Sequence, residues 1–462
     1  MSSLVSSISA EFTLPPNFSK LERTLAGSVT PSQPSDADYI KSPEPPRFLE
    51  PLIASFQRRF GWNRNFSFGV LNGWFVSLGD GFTNAGLVLS SFAASLNAPN
   101  LVIALLPAIT VGGWLLPQII VAAQIQHIRQ KVIVYRAASA IRMSAFALIV
   151  ASCIVFQSQP SWLLIAFLIG LIVNALASGA SGLPWMETVS KTIPATSRAA
   201  FFGTRNLYGG LLTLTAGITV RALLGSSLAF PWDYTIIFAL GGIAFAIGYR
   251  AQGFIEEPQD PVKPKGNILA EFRSILPTLR DNPDFRHFVT YRMLYAASTI
   301  GDAFFTAHAL KNVGVDKASI GTFLIVVGVI APLSNAIWTR VALRYGSRRI
   351  LRVALFIALL APITAALMPQ GAGAWFGLVF VFQQIAVAGF NLGNANYLLG
   401  IIPTHSRGRF IGIANTLVGV AVFTPVLGGF LADARGYSAV FIVGAVLYAL
   451  TWWRAGTLRR DL

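Results

Sequence analysis

The sequence predicts an all-α membrane protein with twelve transmembrane helices in two six-helix halves and both termini in the cytoplasm. Three observations lead there: apolar runs of bilayer-spanning length, Lys and Arg confined to one side of those runs, and segments that recur at about half the chain length. The chain is 54% hydrophobic and 12% charged, with a mean hydropathy of +0.61. Soluble domains carry about 25% charged residues. A length of 462 residues would otherwise suggest two or three soluble domains, and the apolar runs overrule that. The net charge of +16 does not form the clustered patch of a nucleic-acid binder; the basic residues sit in short segments between apolar stretches.

Residues 1–46 are rich in Ser and Pro and hold no apolar core of signal-peptide length. A disordered cytoplasmic tail is expected there, with targeting or docking as a further option. The amphipathic segment 48–60 places Leu49, Leu52, Ile53, Phe56 and Phe60 at helical spacing, as does 267–280 with Ile268, Leu269, Phe272, Ile275, Leu276 and Leu279. Each precedes the first span of its half, either in the membrane interface or packed on the cytoplasmic face. Apolar stretches of about 20 residues, the length that crosses a bilayer, fall near 67–92, 100–122, 133–156, 162–186, 205–225 and 233–254. Six more fall near 287–310, 318–341, 349–368, 374–398, 410–432 and 438–454. The halves are thus 47–254 and 287–456, joined by a linker over 255–286 and followed by a tail at 457–462. With the N-terminus inside, 29 Lys and Arg lie on the cytoplasmic side and 4 on the other, which fixes the orientation. Arg142 and Arg292 lie within spans 3 and 7, where long basic side chains snorkel toward the interface or coordinate an anion at a cavity floor. The lone Cys153 lies inside span 3 and serves as apolar filler.

Two echoes mark the duplication. Ile193-Pro194-x-x-Ser197-Arg198-x-x-Phe201-x-Gly203-x-x-Asn206 repeats 209 residues later as Ile402-Pro403-x-x-Ser406-Arg407-x-x-Phe410-x-Gly412-x-x-Asn415. Arg64-x-Phe66 with Gly79-Asp80-x-Phe82 repeats 222 residues later as Arg286-x-Phe288 with Gly301-Asp302-x-Phe304. Internal repeats in an apolar chain point to a transporter built of two halves around a central site.

Six plus six spans, cytoplasmic termini, a basic middle linker and duplicated loops resemble the major facilitator superfamily. The second copy of its loop signature survives in part as Arg344-Tyr345-Gly346-Ser347-Arg348-Arg349, with Leu343 where an Asp would stand. The first copy, Gln126-His127-Ile128-Arg129-Gln130-Lys131, keeps only the charge. Both Pro-x-x-Ser-Arg loops and Trp185-x-Glu187 fit the superfamily. Gly113-Trp114-x-x-Pro117-Gln118 is similar to a run in a poorly characterised bacterial branch of it. The resemblance implies transport of a small molecule by alternating access, with spans 1 and 7 lining a central cavity.

Asp80 and Asp302 are the foremost candidate site residues. Each sits near mid-membrane, where an ionised Asp costs roughly 2.5–3.5 kcal/mol. Either one binds a proton or a cationic substrate, or both fix an inherited kink. Glu187, Arg198 and Arg205, with Lys191, form a charged group at the cytoplasmic end of spans 4 and 5. Together with Arg348, Arg349 and Arg407 they are a candidate cytoplasmic gate; a loop tied by static ion pairs is the alternative. Gln118, Asn174, Gln383, Gln384, Asn391, Asn394 and Trp74 are candidate cavity-lining residues, although amides in spans also bond helices together.

The four His are dispersed, without metal-ligand or nucleophile spacing. No enzyme, cofactor, metal site or nucleic-acid partner is expected. The expected function is proton-coupled secondary transport of a small molecule in a bacterial cytoplasmic (inner) membrane, by a monomer whose partners are lipid, substrate and protons. Two central acids lean toward export of cationic or amphipathic compounds. A transport-inactive membrane scaffold and an uncoupled facilitator are the alternatives.

Overall fold

The computed structural model describes residues 50–459 except 262, 263, 265 and 403–406. The 1–46 tail, Pro403–Ser406 of the second loop and the last three residues lie outside the described residues. Among the described residues, ten helices are long and apolar enough to cross a bilayer: Asn100–His127, Lys131–Val155, Pro160–Thr192, Ala200–Leu224 and Trp232–Gly253 in the first half, and Ser319–Ala342, Ser347–Leu367, Gly373–Ile401, Arg407–Arg435 and Tyr437–Ala455 in the second. These are spans 2–6 and 8–12.

Spans 1 and 7 are interrupted. Span 1 runs as Arg64–Phe82, a π-helical turn Ala85–Leu89 and Ser90–Ser95. The break lies three residues after Asp80, where the Thr83 hydroxyl donates to the Gly79 carbonyl at 2.9 Å and Asn84 Oδ1 accepts from the Leu87 N–H at 3.0 Å. Span 7 runs as Pro283–Ser298, a 3₁₀ stretch Thr299–Phe304 that contains Asp302, then Phe305–His308 and a π-helical turn Ala309–Val313. Each mid-membrane carboxylate therefore stands at a helix irregularity, the position where broken helices place transporter sites.

Packing repeats between the halves. Span 1 packs on 5 and 6, span 3 on 4 and 6, and span 2 on 4; span 7 packs on 11 and 12, span 9 on 10 and 12, and span 8 on 10. Across the middle, span 5 meets 8 and span 2 meets 11. Exchanging the two sets of six leaves this list unchanged. At the 5–8 seam the backbones touch: a Cβ on Gly321 would lie 2.2 Å from the Arg221 amide nitrogen, so only glycine fits there.

At the outer end one buried apolar cluster joins both halves, with Phe82, Phe92, Ile103 and Phe238 from the first and Phe304, Phe323, Phe376 and Phe441 from the second. Polar contacts reinforce it. Thr306 donates to the Gly86 carbonyl, Asn100 donates to Asp433 at 2.7 Å, and the Tyr437 hydroxyl donates to Asn100 at 2.6 Å. Toward the cytoplasm the core divides into separate clusters, around Phe68, Phe201 and Ile255 in the first half and around Phe288, Leu351 and Phe410 in the second. The halves share one large apolar cluster at the outer end, while toward the cytoplasm they meet chiefly where span 2 packs on span 11, with Ile119 joining the second half's cluster.

The segment Glu50–Phe60 is helical and packs on span 1. Ile53 is buried with Phe68 and Phe254, and Phe56 meets Trp62 and Trp74. The second amphipathic segment forms two short helices, Ile268–Arg273 and Ile275–Asp281, with Leu276 75% exposed. Such an apolar flank outside the bundle suits the membrane interface.

Candidate functional site

Asp80 opens into a cavity of about 410 Å³ lined, among the described residues, by spans 1 to 6, with Asn72, Trp114, Tyr135, Arg142, Trp185 and Arg205 in its wall. A smaller recess of about 100 Å³ continues from Asp80 and Arg142 to Asn174. The Asp80 side chain is exposed to this space and makes no hydrogen bond or ion pair among the described residues. The cavity extends from Asp80 to Trp185, Met186 and Arg205, near the cytoplasmic ends of spans 4 and 5.

The two arginines are held in place. Arg205 Nη1 donates to Asn72 Oδ1 at 2.8 Å and to the Gly69 carbonyl at 3.3 Å, and its guanidinium lies 4.6 Å from the Trp185 ring. Asn72, itself buried, donates to the Tyr135 hydroxyl at 3.0 Å and to the Gly248 carbonyl at 2.9 Å. Arg142 Nε donates to Asn174 Oδ1 at 3.2 Å, and its guanidinium lies 4.4 Å from the Tyr249 ring. Arg142 thus turns inward instead of snorkelling, and Arg205 stands in the cavity wall, away from the rim charges it was grouped with. The repeat explains the room for Arg205. A Cβ on Gly73 would lie 2.1 Å from Arg205 Cγ. At the duplicated positions the second half has Tyr295 for Gly73 and Ala414 for Arg205, so bulk has moved from one span to its neighbour and the charge is gone.

Asp302 has a different setting. Its Oδ2 accepts from Gln383 Nε2 at 3.2 Å and from the Tyr448 hydroxyl at 3.0 Å. Its Oδ1 is buried without a hydrogen-bond partner. Tyr295 lies tilted against the rings of Phe390 and Tyr448, so the surround of Asp302 is aromatic. Arg292 bonds elsewhere: its Nη1 donates to Asn415 Oδ1 at 3.0 Å, and Asn415 donates to Gln118 Oε1 at 2.7 Å. That chain links spans 7, 11 and 2, so Gln118 is a bridge between the halves and is 95% buried.

At the cytoplasmic rim the charges of the first half pair with one another and with the first acids of the linker. Glu187 meets Lys131 at 4.0 Å, Lys131 meets Asp260 at 3.4 Å, and Lys191 meets Glu257 at 2.7 Å and also Asp260. Glu257 Oε2 accepts the Val132 N–H at 2.7 Å, and Glu256 pairs with Arg64 at 3.1 Å. The linker's first residues, Glu256 to Asp260, are therefore a strap across spans 1, 3 and 4. Arg198 donates to the carbonyls of Ser190 and Ile193, closing the end of span 4. Arg348 donates to the Gly456 carbonyl, Arg349 lies 5.5 Å from the Tyr345 ring, and Arg407 is exposed at the start of span 11.

Of the predicted lining residues, Asn174 and Gln383 contact Arg142 and Asp302. Trp74 donates to the Thr204 carbonyl at 3.3 Å and lies tilted against the Tyr208 ring, outside the cavity lining. Asn391 is exposed, Gln384 is half-buried, and Asn394 Oδ1 is buried without a partner. Sequence reasoning missed Asn72, Tyr135, Tyr249 and the acids of the strap. The acidic run Glu256-Glu257-x-x-Asp260, in a chain with only 19 acids, was a usable signal for the last of these.

The family model of the Major Facilitator Superfamily matches residues 69–421 and 288–460. An uncharacterized protein of Mycobacterium tuberculosis is 22% identical over 385 residues, covering 79% of this chain and 72% of that relative. The multidrug resistance protein MdtG of Dickeya zeae is 33% identical over 130 residues, which is 28% of this chain and 31% of that protein. Among solved structures, a bacterial homologue of the iron transporter ferroportin in an inward-facing state aligns with a TM-score of 0.64 at 15% identity, covering 86% of this chain and 98% of that one. That likeness shows the fold.

Proposed function

The chain belongs to the Major Facilitator Superfamily, and from that premise we propose a proton-coupled secondary active transporter that moves a small molecule by alternating access. Its class is transport, not enzymatic chemistry. Asp302 carries the proton, and the Asp80 cavity takes the substrate. The observation that supports this division is the unequal setting of the two duplicated acids. Asp302 sits among a phenol, an amide and aromatic rings, with one oxygen buried and unpartnered. A carboxyl group so placed is costly as an anion and less costly in its neutral, protonated form. Asp80 instead shares an open cavity with two arginines.

The cationic cargo expected from the sequence rested on a mid-membrane region poor in cations. Arg142 and Arg205 line the cavity, so that premise does not hold. Export of an amphipathic compound is a second reading, favoured by the stretch shared with the multidrug resistance protein and by Trp114 and Trp185 in the lining. The bacterial relatives support a place in a bacterial cytoplasmic membrane.

Proteoliposomes with an imposed pH gradient test the coupling, screened with labelled organic ions. Wild type accumulates its substrate against a gradient. Asp302→Asn, which keeps the size of the side chain, loses accumulation and retains substrate exchange at equal pH. Undiminished gradient-driven accumulation by Asp302→Asn refutes Asp302 as the proton carrier.

A further inference from the structure

We infer that the first-half cavity binds a small organic anion, gripped by the guanidinium groups of Arg142 and Arg205, with Asp80 as the carboxylate that shares the lining and opposes the ligand's charge. The inference deepens the transporter reading and rests on it for treating this cavity as the substrate site.

The cavity wall holds two permanent cations and one carboxylate, yet Asp80 forms no ion pair with either arginine among the described residues. Charges kept apart across open space in a low-dielectric surround are an unsatisfied arrangement. One further negative charge between the guanidinium groups completes it. A cation would instead add a third positive charge around one carboxylate. Each guanidinium is oriented by a side-chain amide and by aromatic faces: Asn72 and Trp185, with the Gly69 carbonyl, for Arg205, and Asn174 with Tyr249 and Phe245 for Arg142. Each keeps further N–H groups with no protein acceptor among the described residues. None of these N–H groups is a buried unpartnered atom, so they are reached from the cavity. Planar donor forks held this way suit a carboxylate or a phosphate.

The rest of the lining selects the body of the ligand. Trp114, Trp185, Val76 and Val111 supply apolar walls. A cavity of roughly 150 Å³ accommodates benzene, so about 410 Å³ takes a ring or short chain along with its charged head. The second half lacks the equivalent of this grip, because Ala414 stands where Arg205 would repeat. The grip is therefore asymmetric between the halves.

Equilibrium binding to the purified full-length protein in detergent is the test, read through tryptophan fluorescence, since Trp114 and Trp185 line the cavity. The probes are benzoate, phenylphosphate and the shape-matched cation benzylammonium. We expect saturable binding of at least one anion below about 10 mM and weaker binding of benzylammonium. Benzoate binding points to a carboxylate substrate, and phenylphosphate preference to a phosphate ester; both support the inference. Arg142→Gln weakens the anion by about 10-fold or more, the size of a lost charge-assisted hydrogen bond, and Arg142→Lys weakens it less. Asp80→Asn tightens the anion, an effect that misfolding does not mimic and that a cation site would reverse. Tighter binding of benzylammonium, weaker anion binding in Asp80→Asn, or no saturable response to either anion overturns the inference. No flux is needed, so this result is independent of whether Asp302 couples transport to protons.

Discussion

Replacing Lys191 by Met removes the cation at the centre of the cytoplasmic strap. The Glu257 side chain is 0% exposed and Lys191 is 18% exposed, with 2.7 Å between their charged atoms. Breaking one partner of a fully buried pair costs about 3–5 kcal/mol, because the other charge stays desolvated. Two features lower the figure here. Glu257 keeps its 2.7 Å bond from the Val132 N–H, and Asp260, 34% exposed, keeps Lys131 at 3.4 Å. Exposed pairs contribute under about 1 kcal/mol, so the expected loss is about 2–3 kcal/mol, nearly all through Glu257. Reversible unfolding in mixed maltoside and dodecyl sulfate micelles measures it for Lys191→Met, Glu257→Gln and the double variant. The double variant should lose at least about 1 kcal/mol less than the sum of the singles, as contacting residues do. Strict additivity, or a Lys191→Met loss under about 0.5 kcal/mol, refutes the buried-pair reasoning.

Two more expectations use the same unfolding measurement. Gly73→Ala puts a methyl group on Arg205 Cγ and should cost about 1–3 kcal/mol, as overpacking does, with a shift in tryptophan emission as Arg205 leaves Trp185; unchanged stability and emission would mean that Arg205 has room to spare. Gln118→Leu strips Asn415 of its 2.7 Å acceptor and should cost about 1–3 kcal/mol for an orphaned buried polar group, with Gln118→Glu, which keeps an acceptor, costing less.

The architecture was legible because hydropathy, basic-residue bias and the two echoes all report on the same membrane geometry. Asp80 and Asp302 were legible because a charge in an apolar run stands out. The fates of Arg142 and Arg205 were not, because distance from a span end gives depth and says nothing about which helix face turns inward. Asn72 and Tyr135 are unremarkable residues until Arg205 and Gly248 arrive from spans 5 and 6 to bond Asn72. Gln118 was read as cavity lining, but its partner Asn415 lies 297 residues away. Duplication predicted symmetry at the acids, whereas the Gly73–Arg205 and Tyr295–Ala414 exchange that makes their settings unequal appears only when the spans are packed.

The strap also sets the length of a leash. The linker stays clipped to the first half through Asp260 and again at Gly266, whose N–H donates to the Ala123 carbonyl of span 2 at 3.0 Å. It is already on the second half at Glu271, 3.7 Å from Arg409. Only residues 267–270 lie between those clips, a reach of about 17 Å at full extension, and less while Ile268–Arg273 is helical. On the cytoplasmic side the two halves are therefore joined by a short tether, and while both clips hold, its reach bounds how far apart they can lie.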